Sequence, residues 1–124
     1  MKWFEHHSDA MMNKKLKPMI IKYGVEGYGL YFFCVELVAR ELTPKNVSCE
    51  ISWDFGTIAH ELKMKEERVK EIIDDFCKIG LFSVSKGKLI CPKIMYLLDN
   101  ATSQNPEIKK TLSNFQEVKK SERL

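Results

Sequence analysis

The side chains with most scope for chemistry stand near the start of the chain. His6, His7 and Asp9 are close neighbours, and imidazole and carboxylate are both zinc ligands. A zinc centre needs about four ligands in fixed geometry, and no second Cys/His cluster stands nearby, so no metal is expected. Gly24-Val25-Glu26-Gly27-Tyr28-Gly29 is rich in glycine. A nucleotide-binding loop of that kind follows a strand, whereas this stretch follows a helical pattern. Its glycines are read as allowing tight helix entry and close packing, and Tyr28 and Tyr31 as core or interface residues. The chain has no GxSxG elbow, Walker loop or HExxH pair. Neither an enzymatic activity nor a cofactor is expected.

What remains is charge. Twenty Lys+Arg against 17 Asp+Glu give a net charge of +3, too small a bias to identify a nucleic-acid binder. Position says more. Lys14, Lys15, Lys17 and Lys22 fall between Ala10 and Val25, where there is no acid. Lys63, Lys65 and Arg68 surround the start of a helical pattern over 66–79. A helix that reads the major groove presents Arg, Lys, Asn or Gln outward. Opposite the apolar Val69, Ile72, Ile73 and Phe76, this one carries Glu67, Glu71 and Asp74 with only Lys78. Such a face repels phosphate, and suits solvent or a protein partner better. Lys86 and Lys88 flank a glycine in a turn, where they could touch phosphate or simply keep the turn soluble. Candidate DNA contacts are thus Lys63, Lys65, Arg68, Lys86, Lys88, Lys14 and Lys15. Candidate protein contacts are Glu67, Glu71, Asp74, and the apolar Trp3 and Phe4 near the chain start.

The elements that must position these residues follow from pattern. Ser8 or Asp9 is expected to cap a first helix, whose face is Leu16, Met19, Ile20 and Tyr23. Pro18 is expected to kink it or mark a restart. A second helix starts around Glu26 to Leu30 and is apolar nearly all round to Leu42, so it should be central. Glu36 and Arg40 are placed to pair on its edge. Weak alternation over 47–52 suggests a strand. Asp54 or Ser52 is expected to cap a helix carrying Phe55, Ile58, Ala59 and Leu62. A turn at Lys63-Met64-Lys65 leads to the 66–79 helix, closed by Gly80. A hairpin follows at 81–91, with a turn at Lys86-Gly87-Lys88. Further helices are expected from Lys93 and, after a polar linker, from Pro106, with Ile108, Leu112 and Phe115 on one face.

A chain of 124 residues with 44% hydrophobic and 30% charged side chains has the size and composition of one globular domain. No apolar run approaches the ~18 residues that span a bilayer, and no secretory leader is recognised. Cys34, Cys49, Cys77 and Cys91 form no CxxC pair, so reduced thiols in a cytoplasmic protein are favoured over disulfides.

Helix, strand, helix, short turn, helix, hairpin is the order of a winged helix. The expected fold is mainly α with a small β-hairpin: a winged helix-turn-helix with an extra N-terminal helix and C-terminal helices. Residues 1–98 form that domain, and 99–124 a polar linker and short basic helix or tail.

The stretch Trp3-Phe4-Glu5-His6, then Ala10, Lys15-Leu16 and Lys22-Tyr23-Gly24-Val25-Glu26-Gly27-Tyr28-Gly29-Leu30-Tyr31, resembles the N-terminal domain of phage and prophage replisome organisers. These are similar to the primosomal DnaD group. Gly80-Leu81-Phe82 matches the family's Gly-Leu-Phe before its hairpin, and the likeness runs over about residues 1–98. His7 stands where the family usually has Asp, and Met11-Met12-Asn13 where it often has Arg-Asn-Asp. The resemblance implies a non-enzymatic replication-initiation domain that binds DNA weakly, self-associates, and meets a replicative helicase or helicase loader. The alternatives are a winged-helix protein-interaction module without DNA binding, and a transcriptional regulator.

Overall fold

Asn13, rather than Ser8 or Asp9, starts the first helix. Its side-chain oxygen accepts from the Lys15 and Leu16 N–H groups at 2.9 and 3.2 Å, satisfying donors that a helix start leaves free. In the computed structural model, which describes residues 1, 3–43, 48–92, 94, 106 and 110, helix α1 therefore runs Leu16–Tyr23. A single 3-10 turn, Ala10–Met12, precedes it. Pro18 falls in the first turn of α1, where its missing N–H costs little, so neither kink nor restart is needed. Leu16, Met19 and Tyr23 are buried.

Gly24 (φ +65°, ψ −139°) joins α1 to α2, Val25–Glu41, without a linker. Only glycine adopts that backbone freely. One turn on, a Cβ at Gly27 would lie 2.6 Å from the Met19 carbonyl oxygen and 3.2 Å from Tyr23 Cβ. The two helices meet there backbone to backbone. Helix α2 buries Leu30, Tyr31, Cys34, Val35, Leu37, Val38 and Ala39 and is the central element. Glu36 and Arg40 do not pair; instead the neighbouring Glu41 accepts from Ser52 Oγ at 2.6 Å.

Of the strand expected over 47–52, Val47 lies outside the described residues, and 48–52 form one antiparallel bridge, Glu50 opposite Ile90. Its weak alternation supports only the bonds Ile51 N–H to Leu89 O, 2.8 Å, and Cys91 N–H to Cys49 O, 2.9 Å. Helix α3, Phe55–Leu62, is capped by Asp54, whose side chain accepts from Thr57 N–H at 2.7 Å. Helix α4 runs Glu66–Ile79 and stops at Gly80 (φ +88°). Strands β1, Ser83–Ser85, and β2, Lys88–Ile90, then pair antiparallel with Val84 opposite Leu89. Lys86 and Gly87 both have positive φ, so the turn has two residues, of the type that matches strand twist. Lys88 lies in β2 opposite Ser85 and not in the turn.

The described residues are thus mainly helical, with four α-helices and one two-stranded antiparallel sheet. Tyr31 of α2 stacks on Phe82 (5.7 Å between centroids), and Phe76 of α4 meets both edge-on. These rings join α2, α4 and the hairpin base in one core. Cys34 and Cys91 are wholly buried within it. Burial pushes the Cys34 thiol far up and that of Cys49 to about 11, which favours the protonated thiol at both. The helix expected from Lys93 and the tail helix from Pro106 lie outside the described residues, save Pro106, Lys110 and the buried Ile94.

Two glycines of α2 should respond oppositely to the same substitution. Gly27→Ala forces a Cβ into the α1 backbone and should lose about 1–3 kcal/mol. Gly29 has nothing within 4 Å of an added Cβ, so Gly29→Ala should gain up to about 1 kcal/mol in helix propensity. Urea unfolding of the two variants measures both.

Candidate functional site

The α1–α2 corner delivers a group of polar side chains onto the flank of α4. Tyr23 is buried, and its hydroxyl donates to Asp75. Lys22 Nζ lies 2.7 Å from the same Asp75 oxygen, and Lys78 3.9 Å from the other. Arg68 bridges Glu26 at 3.3 Å and Glu71 at 3.1 Å, with its guanidinium 4.9 Å from the centre of the Tyr23 ring. Tyr23 thus sits against both Lys22 and Arg68, two cation–π contacts. The Lys22 ammonium first, and the Tyr23 hydroxyl second, hold the Asp75 carboxyl below the usual carboxylate range. Lys15 Nζ reaches the Gly80 carbonyl at 3.4 Å, so α1 is fastened along α4 at both ends.

A second group fastens the chain start to α2. His6 stacks on Phe32 with 4.0 Å between centroids, and its Nε2 lies 3.1 Å from the Tyr28 hydroxyl. The terminal ammonium donates to the Leu42 carbonyl at 2.7 Å. Between this strap and α2 lies a cavity of about 380 Å³ lined by His6, Asp9, Asn13, Leu16, Tyr31 and Phe32 among others. Trp3 and Phe4 part company here: Phe4 packs on the core while Trp3 is exposed. His7 pairs with Glu5 at 3.5 Å. Among the described residues no group of three His, Cys, Asp or Glu side chains is placed to hold a metal ion.

Residues 3–91 match the model of the Lin1244/Lin1753-like N-terminal family, a span holding both the strap and the corner. The chain belongs to that family. No curated protein and no solved structure matches it.

Within this family domain, the candidate cations divide in two. Arg68 is taken up by Glu26, Glu71 and Tyr23, and Lys88 by Glu50 at 3.3 Å. Lys15 lies against α4. Lys14, Lys63, Lys65 and Lys86 are exposed and make no ion pair among the described residues. Lys63 ends α3 and Lys86 begins the hairpin turn, with φ of +55° and +52°. They are the only non-glycine residues with positive φ among those described. Glu67, Glu71 and Asp74 are exposed on the outer side of α4, as the helical pattern requires. The sequence does not single out Asp75 or Phe32, and it offers His6 for metal chemistry rather than for its stacking on Phe32. Asp75 differs from Asp74 only by its position on the helix flank, and nothing local couples it to residue 23.

A carboxylate whose pKa is lowered by folding stabilises the fold above its unfolded value, near ~3.9, and loses that effect as pH falls through the folded value. Asp75→Asn should therefore be less stable than the parent at pH 7, and the gap should close below about pH 4. Urea midpoints of the pair across pH 3–7 measure this, and an equal gap at both ends would exclude the Asp75 contacts as its source.

Proposed function

We propose that this chain is a non-enzymatic, cytoplasmic DNA-replication initiation domain of the phage replisome-organiser kind, with a winged-helix fold. It holds duplex DNA weakly through phosphate contacts and self-associates or meets a helicase or loader through other surfaces. The order α2, bridging segment, α3, α4, hairpin supports the winged helix, with β1–β2 as the wing. The replication role is supported by the resemblance of residues 1–98 to replisome organisers.

The observation that carries DNA contact is the pair Lys63 and Lys86. A left-handed backbone costs a non-glycine residue about 1–2 kcal/mol, and glycine or asparagine fits both places better. Both are occupied by exposed lysines. One sits beside the start of α4 with Lys65 nearby, and the other at the wing tip. Strain kept at exposed loops is a mark of function, and the feature retained here is a cation. Such contacts fix a protein on the phosphate backbone without reading sequence.

A protein-interaction module without DNA binding is the second reading, favoured by the exposed acids of α4. Glu67, Glu71 and Asp74 occupy the face that a groove-reading helix would insert, which also weighs against a transcriptional regulator. Under this second reading Glu67→Lys/Glu71→Lys abolishes partner binding.

Lys63→Gly and Lys86→Asn separate strain from function. Each should leave stability unchanged or up to about 1 kcal/mol higher. The double variant should bind duplex DNA several-fold more weakly in fluorescence anisotropy. Its slope of log affinity against log salt should be shallower by about one per lysine. Unchanged DNA affinity in the double variant would remove both lysines from the interface.

A further inference from the structure

Helix α1 turns Leu16, Met19 and Tyr23 inward. At 100° per residue, the opposite side carries Lys17, Pro18 and Ile21, with Lys14 on the preceding turn. Ile21 is 76% exposed, and Val25, just past the Gly24 corner, is 87% exposed. They are the two most exposed large apolar side chains among the described residues. Lys15 and Lys22 are directed to Gly80 and Asp75 on α4. Lys14 and Lys17 make no ion pair among the described residues, and no acid stands between Ala10 and Val25. Two exposed apolar side chains four positions apart, on either side of the corner, thus stand beside lysines with no ion pair among the described residues, on a helix pinned from behind.

The chemistry of this patch selects its occupant. The same face of a second copy would set lysines against lysines, which repels. The outer face of α4 from a second copy offers charge but no apolar side chain: Glu67, Glu71 and Asp74, with Lys78. It would bury Ile21 and Val25 against charge. The tail of this chain, residues 106–124, carries five Lys+Arg against three Glu and is repelled as well. DNA would use the lysines and leave Ile21 and Val25 wet. A bilayer needs a broader apolar face than two side chains on a short helix.

We propose that the outer face of α1 docks an acidic amphipathic helix of another protein. The apolar side of that helix rests on Pro18, Ile21 and Val25, and its carboxylates meet Lys14 and Lys17. This is helix-on-surface recognition with charge setting the orientation, and it stands whether or not Lys63 and Lys86 hold DNA.

The test uses the full chain, labelled with ¹⁵N. The probe is a synthetic helical peptide with leucines on one face and glutamates on the other, and its control has lysine for every glutamate. The acidic peptide should shift the amide signals of residues 14–25, and the lysine peptide should not bind. Ile21→Glu/Val25→Glu should weaken acidic-peptide binding at least tenfold with an unchanged circular dichroism spectrum. Lys63→Gly/Lys86→Asn should bind it like the parent, which keeps this site distinct from the DNA contact. The proposal is overturned if both peptides bind equally, if the shifts map to α4, or if Ile21→Glu/Val25→Glu binds as the parent does. It is equally overturned if only phosphatidylserine vesicles or duplex DNA engage residues 14–25.

Discussion

The Met19 carbonyl lies where a side chain at residue 27 would begin, and much of the molecule follows from that approach. It requires glycine at 27 and a glycine backbone at 24. With both in place, α1 folds directly onto α2 with no loop to absorb a change of angle. Tyr23 and Glu26, on either side of the corner, are then held against one flank of α4, at positions about two turns apart. There they take Asp75 and Arg68. Close packing comes first and the polar contacts second: surface ion pairs of this kind are each worth little, and they gain from a corner that already fixes one partner.

This arrangement decides which cations face outward. Arg68, the residue best suited by type to phosphate, is spent between Glu26 and Glu71 and over Tyr23. Lys22 and Lys15 are drawn to the flank and end of α4. The lysines with no ion pair among the described residues are left in the turns, at 63, 65 and 86, and on the outer side of α1, at 14 and 17. Helix α4 keeps its acids outward, so its electrostatics oppose entry into a groove. The tyrosine- and glycine-rich segment that most specifically marks the resemblance is the corner and its fastenings to α4 and to His6. Through Tyr23, Glu26 and Tyr28 it holds α4 and His6 against the corner and α2.

The sequence was legible where structure is local. Asp54 as a cap, Gly80 as a stop, the apolar faces of α3 and α4, and the burial of α2 nearly all round between Leu30 and Ala39 each depend on spacing within a few turns. The start of α1 was misplaced because two good caps, Ser8 and Asp9, lie upstream of the Asn13 that does the work. The strand at 47–52 was overread because weak alternation does not supply a partner, and Ile90 offers just one bridge. The pairing of Tyr23 with Asp75 spans 52 positions and has no local signature. The strain at Lys63 and Lys86 was hidden for the same reason. Lysine is common in turns, and only the backbone angles distinguish a soluble turn from one held in a left-handed conformation.

The balance between loop lysines without an ion pair among the described residues and an acidic helix leads, under the function proposed above, to one central proposal: any duplex DNA is met by the turns and not by the outer face of α4. Amide chemical-shift mapping of the full chain with a short duplex at low salt tests it most directly. The largest shifts should fall at Lys63, Lys65 and Lys86, with Glu67, Glu71 and Asp74 unmoved. Shifts centred on those three acids, with the turns silent, would contradict it.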